Sequence, residues 1–332
     1  MTVSAHRRAV VTGGGGFVGR HLVERLVEEG YEVTVLDHAH PSDGHRPPEG
    51  VRWVSGDVRD PRDVARAVRS GTDVVYHLAA IVGVDQYLAD PLAVIDVNFT
   101  GTRHVLEAAL RVEARVVMTS TSEVFGKNPA VPWAEDDDRV LGSTSTARWS
   151  YGTSKALAEH LLFAFADRYE LPVSIVRYFN AFGPGQRPAY LVSRLVHRAL
   201  NGRPLTVYDK GHQTRCLTYV GDAVEATVLA GTAGSAVGEA FNVGSRHEST
   251  VAEVAELIGA LVEGDVPVLH VDTGTSLGAS YEDLGRRIPD TGKALRLLGW
   301  ECRTPLREGL AKTIAWARST PSWLALRDTG AV

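Results

Sequence analysis

The run AVVTGGGGFVGRHLVERLVEEG (residues 9–30) decides the fold. A short apolar, β-prone run ends at a glycine cluster. An amphipathic pattern follows, with Leu22, Leu26 and Val27 on one face and charges on the other. Gly13, Gly16 and Gly19 stand at G-x-x-G-x-x-G spacing. This spacing suits a tight turn, close backbone approach to a pyrophosphate and close packing of the next helix on the sheet, with the helix-start N–H groups facing the phosphates.

The alternation continues outward. EVTVLD (32–37), VRWVSGD (51–57), DVVYHLAA (73–80) and ARVVMTS (114–120) read as strands, with helical patterns between them. Strand, helix and strand in repetition predict an α/β fold: a doubly wound parallel sheet covered on both faces. From about residue 180 the texture changes. A Gly/Pro loop (179–190) precedes a helix-like run near 191–202, a short strand PLTVYD, helices over 250–263, 290–298 and 305–317, and a strand VPVLHVD, with a loop to about residue 289. These pieces are expected to form a smaller α/β lid over the carboxyl ends of the strands, interleaved with the first part.

Composition narrows the function. The chain has 332 residues, 23% charged and 44% hydrophobic, with net charge −5, so it has no basic field for nucleic acid or an anionic membrane. Neither a signal peptide nor an eighteen-residue apolar run is evident, so no membrane role is expected. The 2 cysteines, Cys216 and Cys302, form no C-x-x-C motif, and the 12 histidines show no HExxH spacing. No metal is expected, and a reducing cytoplasm is. The acidic run Glu135 to Asp138 reads as a solvated loop.

Candidate chemistry sits at the strand ends. Asp37, closing the second strand, is placed to accept hydrogen bonds from the adenosine ribose hydroxyls and to repel a 2′-phosphate, which favours NAD; His38 is its neighbour. Asp57 and Val58 face an adenine edge or form an ordinary strand-to-loop junction. Tyr151 and Lys155 lie one helical turn apart, where an ammonium lowers a phenol's pKa and makes a general base. In TSTSEVFG (119–126), Thr121 and Ser122 suit the handling of a hydroxyl. Glu123 reads as an acid/base or as a residue pointing away.

TGGGGFVG (12–19), HLAA (77–80), NFTGT (98–102), TSTSEVFG, Tyr151-x-x-x-Lys155, RYFNAFGP (177–184) and TRCLTYV (214–220) stand in the order of the extended short-chain dehydrogenase/reductases, which the whole chain resembles. The likeness is to the nucleotide-sugar epimerase, dehydratase and decarboxylase group. It implies a Rossmann-type NAD-binding domain over residues 1–180 and a mainly nucleotide-sugar-binding domain over 181–332. It implies NAD contacts from the glycine loop with Phe17 and Val18, and from Asp37, His38, Asp57, Val58, Leu78, Ala79, Ala80, Asn98, Tyr151, Lys155 and Tyr178. By the same likeness Tyr151 is the base on the sugar 4-hydroxyl, Lys155 holds the nicotinamide ribose, and Thr121 bonds the reacting oxygen. Asn98 steadies the active-site helix, and Asn180, Ser193 and Arg215 grip the nucleotide diphosphate. A homodimer through helices near 92–111 and 151–169 is also implied.

Members of the group begin by oxidising sugar C4 and differ afterwards. Thr121-Ser122-Glu123, RWSY (148–151) and Arg287 resemble UDP-glucuronate decarboxylases, whereas Arg187 in GPGQRP (183–188) resembles the uronate 4-epimerases, with a cation set to hold the carboxylate. Ser122 replaces the Asp of dTDP-glucose-type dehydratases. The expectation is an NAD-dependent 4-epimerase acting on a UDP-uronic acid, UDP-glucuronate to UDP-galacturonate. A UDP-glucuronate decarboxylase is the alternative, and epimerases of other sugars, a 4,6-dehydratase or a non-enzymatic NAD sensor stand further off.

Overall fold

The computed structural model describes residues 7–39, 44–263, 266–272 and 284–328. Seven parallel strands form the central sheet: β1 Arg8–Thr12, β2 Glu32–Asp37, β3 Arg52–Ser55, β4 Val74–His77, β5 Arg115–Thr121, β6 Val173–Tyr178 and, much later in the chain, Glu239–Val243. From one edge the order is Glu239–Val243, β6, β5, β4, β1, β2, β3. Strand order therefore reverses between β1 and β4, where Thr12 pairs with His77 at the carboxyl ends. In open α/β sheets this reversal opens the crevice that receives a ligand.

Successive side chains of a strand enter opposite faces, and both faces are covered. Val11 and Tyr76 join Leu22, Leu26, Val224 and Phe241 in one core, while Val10 and Val75 join Leu106, Met118, Leu162 and Ile175 in the other. β6 escapes the sequence reading, because Ser174 and Arg177 interrupt its apolar run. Both are buried with tertiary partners: Ser174 donates to Ala236 O at 2.7 Å, and Arg177 bonds Glu159.

Past residue 180 the chain both returns to the first sheet and builds a second layer. The Val220–Thr232 helix packs on the first core, and Glu239–Val243 pairs with β6. The second layer collects Phe182, Leu195, Leu205, Val254, Ile258, Leu310 and Trp323. Its helices form at Leu191–Leu200, Val251–Val262 and Leu306–Arg318, and Gly292–Leu298 packs against the first core. Thr250 and Glu253 close a capping box at the head of Val251–Val262. Part of the loop expected before residue 289, residues 273–283, lies outside the described residues. Trp323 donates its indole N–H to Gln186 O at 2.8 Å, tying the C-terminal segment to the loop that carries Arg187.

The acidic run corrects one expectation. Asp136 and Asp138 are exposed, but Glu135 is buried and its Oε1 accepts the Asn242 N–H at 2.8 Å. Asn242 lies on the strand at the sheet edge, where a backbone donor needs a partner from outside the ladder. Among the described residues no helix is long and apolar enough to cross a membrane.

Among the described glycines the tightest approach to backbone is at Gly19, where an added Cβ would lie 2.1 Å from Gly13 O. Gly19→Ala is expected to destabilise the protein by about 2 kcal/mol through overpacking and to weaken NAD retention. Urea unfolding with and without NAD measures both, and a variant as stable as its parent would contradict the packing argument.

Candidate active site

The glycine loop folds as a cradle. Gly13 adopts φ +72°, and a Cβ there would stand 2.7 Å from the Ala79 backbone nitrogen. Gly16 caps α1 (Phe17–Glu28) in extended conformation with no side-chain capping bond, so the positive helix end is presented at the loop. Phe17 and Val18 pack partly buried against the core behind it. Asp37 Oδ2 accepts the Gly15 N–H at 2.9 Å and Oδ1 the Ala39 N–H at 3.3 Å, while the exposed His38 brings Nδ1 to 3.2 Å from Oδ1. A carboxylate has lone pairs beyond these for ribose hydroxyls. Shape, backbone donors and the acidic residue all fit a dinucleotide.

The Asp57 carboxylate is gripped by Arg59 at 2.7 Å, a bond that holds its pKa below the usual range, and its N–H donates to Asp63 Oδ2 at 2.9 Å. The Val58 side chain is buried facing Gly101. Leu78, Ala79 and Ala80 form the half-buried wall after β4; the Leu78 N–H donates to Thr12 O at 3.0 Å and the Ala79 N–H to Thr12 Oγ1 at 3.3 Å.

A buried polar chain links this wall to the helix Ser150–Tyr169. Thr12 Oγ1 lies 2.7 Å from His77 Nδ1, and His77 Nε2 lies 3.0 Å from Thr102 Oγ1. Thr102 donates to Asn98 O at 2.6 Å. Asn98, inside a π-helical turn, accepts the Ile81 N–H at 3.2 Å and donates to Ser154 Oγ at 3.1 Å. Burial, aided by the charge of Lys155, lowers His77 to about 3 and keeps it neutral. The signal for this chain was the HLAA motif, whose histidine had been assigned no role.

Tyr151 and Lys155 are both buried on that helix. Lys155 donates to Thr119 O at 2.9 Å, and burial, opposed by the charge of Glu159, lowers its pKa to about 8. The expected lowering of Tyr151 by Lys155 is absent. Burial raises the phenol above its usual range, the charges of Glu123 and Tyr190 raise it further, and a hydrogen bond with Thr121 opposes them. Burial is the largest cause, and the ammonium's described bond goes to the Thr119 carbonyl. Thr121 Oγ1 also accepts the Glu123 N–H at 3.2 Å, opening a single 3-10 turn (Ser122–Phe125) in which Ser122 is buried. Beneath it, Glu159 accepts from Ser120 at 2.6 Å and takes the Arg177 fork at 2.9 and 2.7 Å.

Glu123 points inward. Its Oε2 lies 2.5 Å from Arg148 Nη1 and its Oε1 3.1 Å from Arg287 Nη1. Burial pushes its pKa up, but the two guanidinium groups outweigh this and leave it below the usual carboxylate range, so it is ionised. Arg148, buried in RWSY, also stacks over Tyr87 at 5.4 Å and Trp149 at 5.1 Å.

The remaining expected sugar-nucleotide residues divide. Asn180 adopts φ +43° and donates to Cys216 O at 3.5 Å. Ser193 donates to Arg187 O at 2.7 Å, and Arg215 donates to Thr214 O and Leu284 O at 2.7 and 2.9 Å. Tyr178, expected at the cofactor, places its hydroxyl 2.6 Å from Thr227 Oγ1. Arg187, expected to meet the sugar carboxylate, clasps Asp85 with both terminal nitrogens, at 3.0 and 2.9 Å.

The profile of the NAD dependent epimerase/dehydratase family matches residues 9–244, the span holding the cradle, Thr121, Tyr151 and Lys155. The chain belongs to that family. It is an NAD-dependent nucleotide-sugar enzyme on the Rossmann-type fold of the extended short-chain dehydrogenase/reductases. It is 39% identical to the UDP-N-acetyl-alpha-D-glucosaminuronate decarboxylase of Bacillus cytotoxicus over 94% of this chain and 98% of that one. With UDP-glucuronic acid decarboxylase 1 of Xenopus tropicalis it shares 34% identity over 94% of this chain and 72% of the relative. Among solved structures, UDP-glucuronic acid 4-epimerase from Bacillus cereus, in complex with UDP-glucuronic acid and NAD, superposes with TM-score 0.83 at 26% identity, covering 94% of this chain and 99% of that one.

Lys155 makes this family member's stability depend on alkaline pH. Below about 8 both folded and unfolded states hold the proton, and the cost of burying the ammonium is fully felt. Between about 8 and the ordinary 10.5 the unfolded state retains a proton that the folded state has released, so the Lys155 contribution to stability rises with pH. Lys155→Met is expected to lack this rise, on the order of 3 kcal/mol. Urea unfolding of parent and variant at the two ends of the window measures the difference, and parallel stability curves would contradict it.

Proposed function

We propose that this family member decarboxylates a UDP-linked uronic acid, glucuronate or its 2-acetamido analogue, through a transient 4-keto sugar. The observation that carries the reading is Glu123, ionised between Arg148 and Arg287 and acting electrostatically on Tyr151. The relatives named above as decarboxylases give independent support.

NAD, held by the glycine cradle and Asp37, would supply the hydride acceptor for sugar C4. Tyr151 takes the proton of the 4-hydroxyl, and Thr121 bonds the same oxygen. Lys155, holding the nicotinamide ribose, supplies the positive charge that phenolate formation needs in a site where burial opposes it. The C5–carboxylate bond then breaks, its electron pair enters the C4 carbonyl π system, CO2 leaves and C5 takes up a proton; return of the hydride to C4 would complete the turnover and leave the cofactor oxidised. Arg148 and Arg287 stabilise the developing enolate charge, and the ionised Glu123 orients them rather than giving up a proton.

4-Epimerisation of the same substrate is the second reading, favoured by the likeness to the Bacillus cereus 4-epimerase. Arg187, the cation on which that reading depends, is engaged by Asp85. Glu123→Gln is expected to cut CO2 release from UDP-glucuronate or its 2-acetamido analogue by about 10²-fold, while C4 oxidation, seen as NADH absorbance, survives. Tyr151→Phe should lose both while retaining NAD. An undiminished CO2 yield from Glu123→Gln, measured by product mass and ring-proton couplings, would refute the assignment.

The proposal includes a homodimer and cytoplasmic residence. Leu92 and Leu157 are 74% and 48% exposed on the helices Pro91–Asp96 and Ser150–Tyr169, an apolar face suited to a second copy. The free thiols Cys216 and Cys302 are compatible with a reducing compartment. Leu92→Glu combined with Leu157→Glu is expected to give monomers in sedimentation equilibrium where the parent sediments as a dimer; a monomeric parent would contradict the interface.

A further inference from the structure

The segments Val82–Tyr87 and Arg187–Tyr190 meet beside Tyr151. Tyr87 and Tyr151 share one apolar cluster with Ile81 and Val84. Tyr190 donates its hydroxyl to Val82 O at 3.0 Å, and Arg187 donates Nη2 to the same carbonyl at 3.2 Å. The Arg187 guanidinium lies 5.3 Å from the centre of the Tyr190 ring and makes its two parallel bonds to Asp85. Gly83, at φ +124°, leaves the room this pair occupies, because a Cβ there would stand 2.6 Å from both Arg187 Nη2 and Asp85 Oδ1. A bidentate guanidinium–carboxylate pair is the strong form of such a contact, and it fixes the direction of the cation.

We propose that Asp85 is a positioning residue that determines reaction outcome: by occupying the Arg187 fork it keeps that cation from clamping the sugar carboxylate. This rests on the decarboxylase reading above. A carboxylate held by a fork in the plane of the ring cannot lose CO2 readily, because its bond to C5 must stand perpendicular to the C4 carbonyl for the electron pair to enter the π system. With Arg187 turned to Asp85, the carboxylate is able to rotate out of the plane. The bond to C5 breaks, CO2 departs, the enolate takes a proton from solvent at C5, and carbon, charge and electrons balance.

Asp85→Asn removes the charge that holds Arg187. The ratio of same-mass 4-epimer to CO2-loss product from UDP-glucuronate or its 2-acetamido analogue, read by mass and by sugar-ring couplings, is expected to rise about tenfold, in line with one re-pointed charge-assisted hydrogen bond. Asp85→Asn with Arg187→Ala is expected to bring the ratio back to that of the parent, which a merely structural role of Asp85 would not do. Asp85→Ser carries the same expectation should the Asn variant fail to fold. A ratio unchanged in the single variant, or unrestored in the double, overturns the inference alone. A parent that releases no CO2 from either substrate overturns the decarboxylase reading and this inference with it.

Discussion

The neutral His77 imidazole, buried at the end of β4 and bonded at both nitrogens, is the contact on which the site depends. A buried polar ring is stable only when both of its nitrogens are satisfied. Thr12 and Thr102 must therefore stand at hydrogen-bonding distance on either side of it. Thr12 belongs to the strand that ends at the glycine cradle. Thr102 bonds the backbone of Asn98, whose amide reaches Ser154 on the catalytic helix. The cofactor cradle and Tyr151 are thus held in one frame by matched donors and acceptors rather than by apolar packing alone.

The chemical centre is set by how charges are paired after that frame is in place. Glu123 is surrounded by two guanidinium groups and stays ionised despite burial, while Arg187 is bound to a carboxylate of its own. The same side chains with partners exchanged would present a different field to a sugar acid. Lys155 and Tyr151 show the same dependence. Burial works against both charged forms, lowering one pKa and raising the other. In the proposed reaction the phenol would act as a base only through what lines up with it when cofactor and substrate are present.

Much of the fold was legible because its signals are local. AVVT before the glycines and the apolar face of Leu22 and Leu26 describe one strand–turn–helix unit whatever surrounds it, and the first five strands follow the same logic. β6 was not legible, since Arg177 and Ser174 are tolerated only by Glu159 and Ala236, which lie near them in space and not in the chain. The burial of Glu135 has the same origin: its partner Asn242 is more than a hundred residues away. Of the candidate site, the cradle, Asp37, Thr121, Tyr151 and Lys155 came from motifs with fixed spacing. The roles of His77, Arg148, Ser154 and Asp85 came from none.

By itself the sequence determined the parallel α/β architecture, the dinucleotide cradle and the Tyr-Lys pair, because each is specified by residue type at short, regular intervals and by elements that form locally. Only the tertiary structure decided which charge faces which. Glu123 meets Arg148 and Arg287, and Arg187 meets Asp85, across separations of 25, 164 and 102 residues. An ion pair depends on distance and direction in space, and neither is written in the order of the residues until the sheet and the two crossing loops have brought them together.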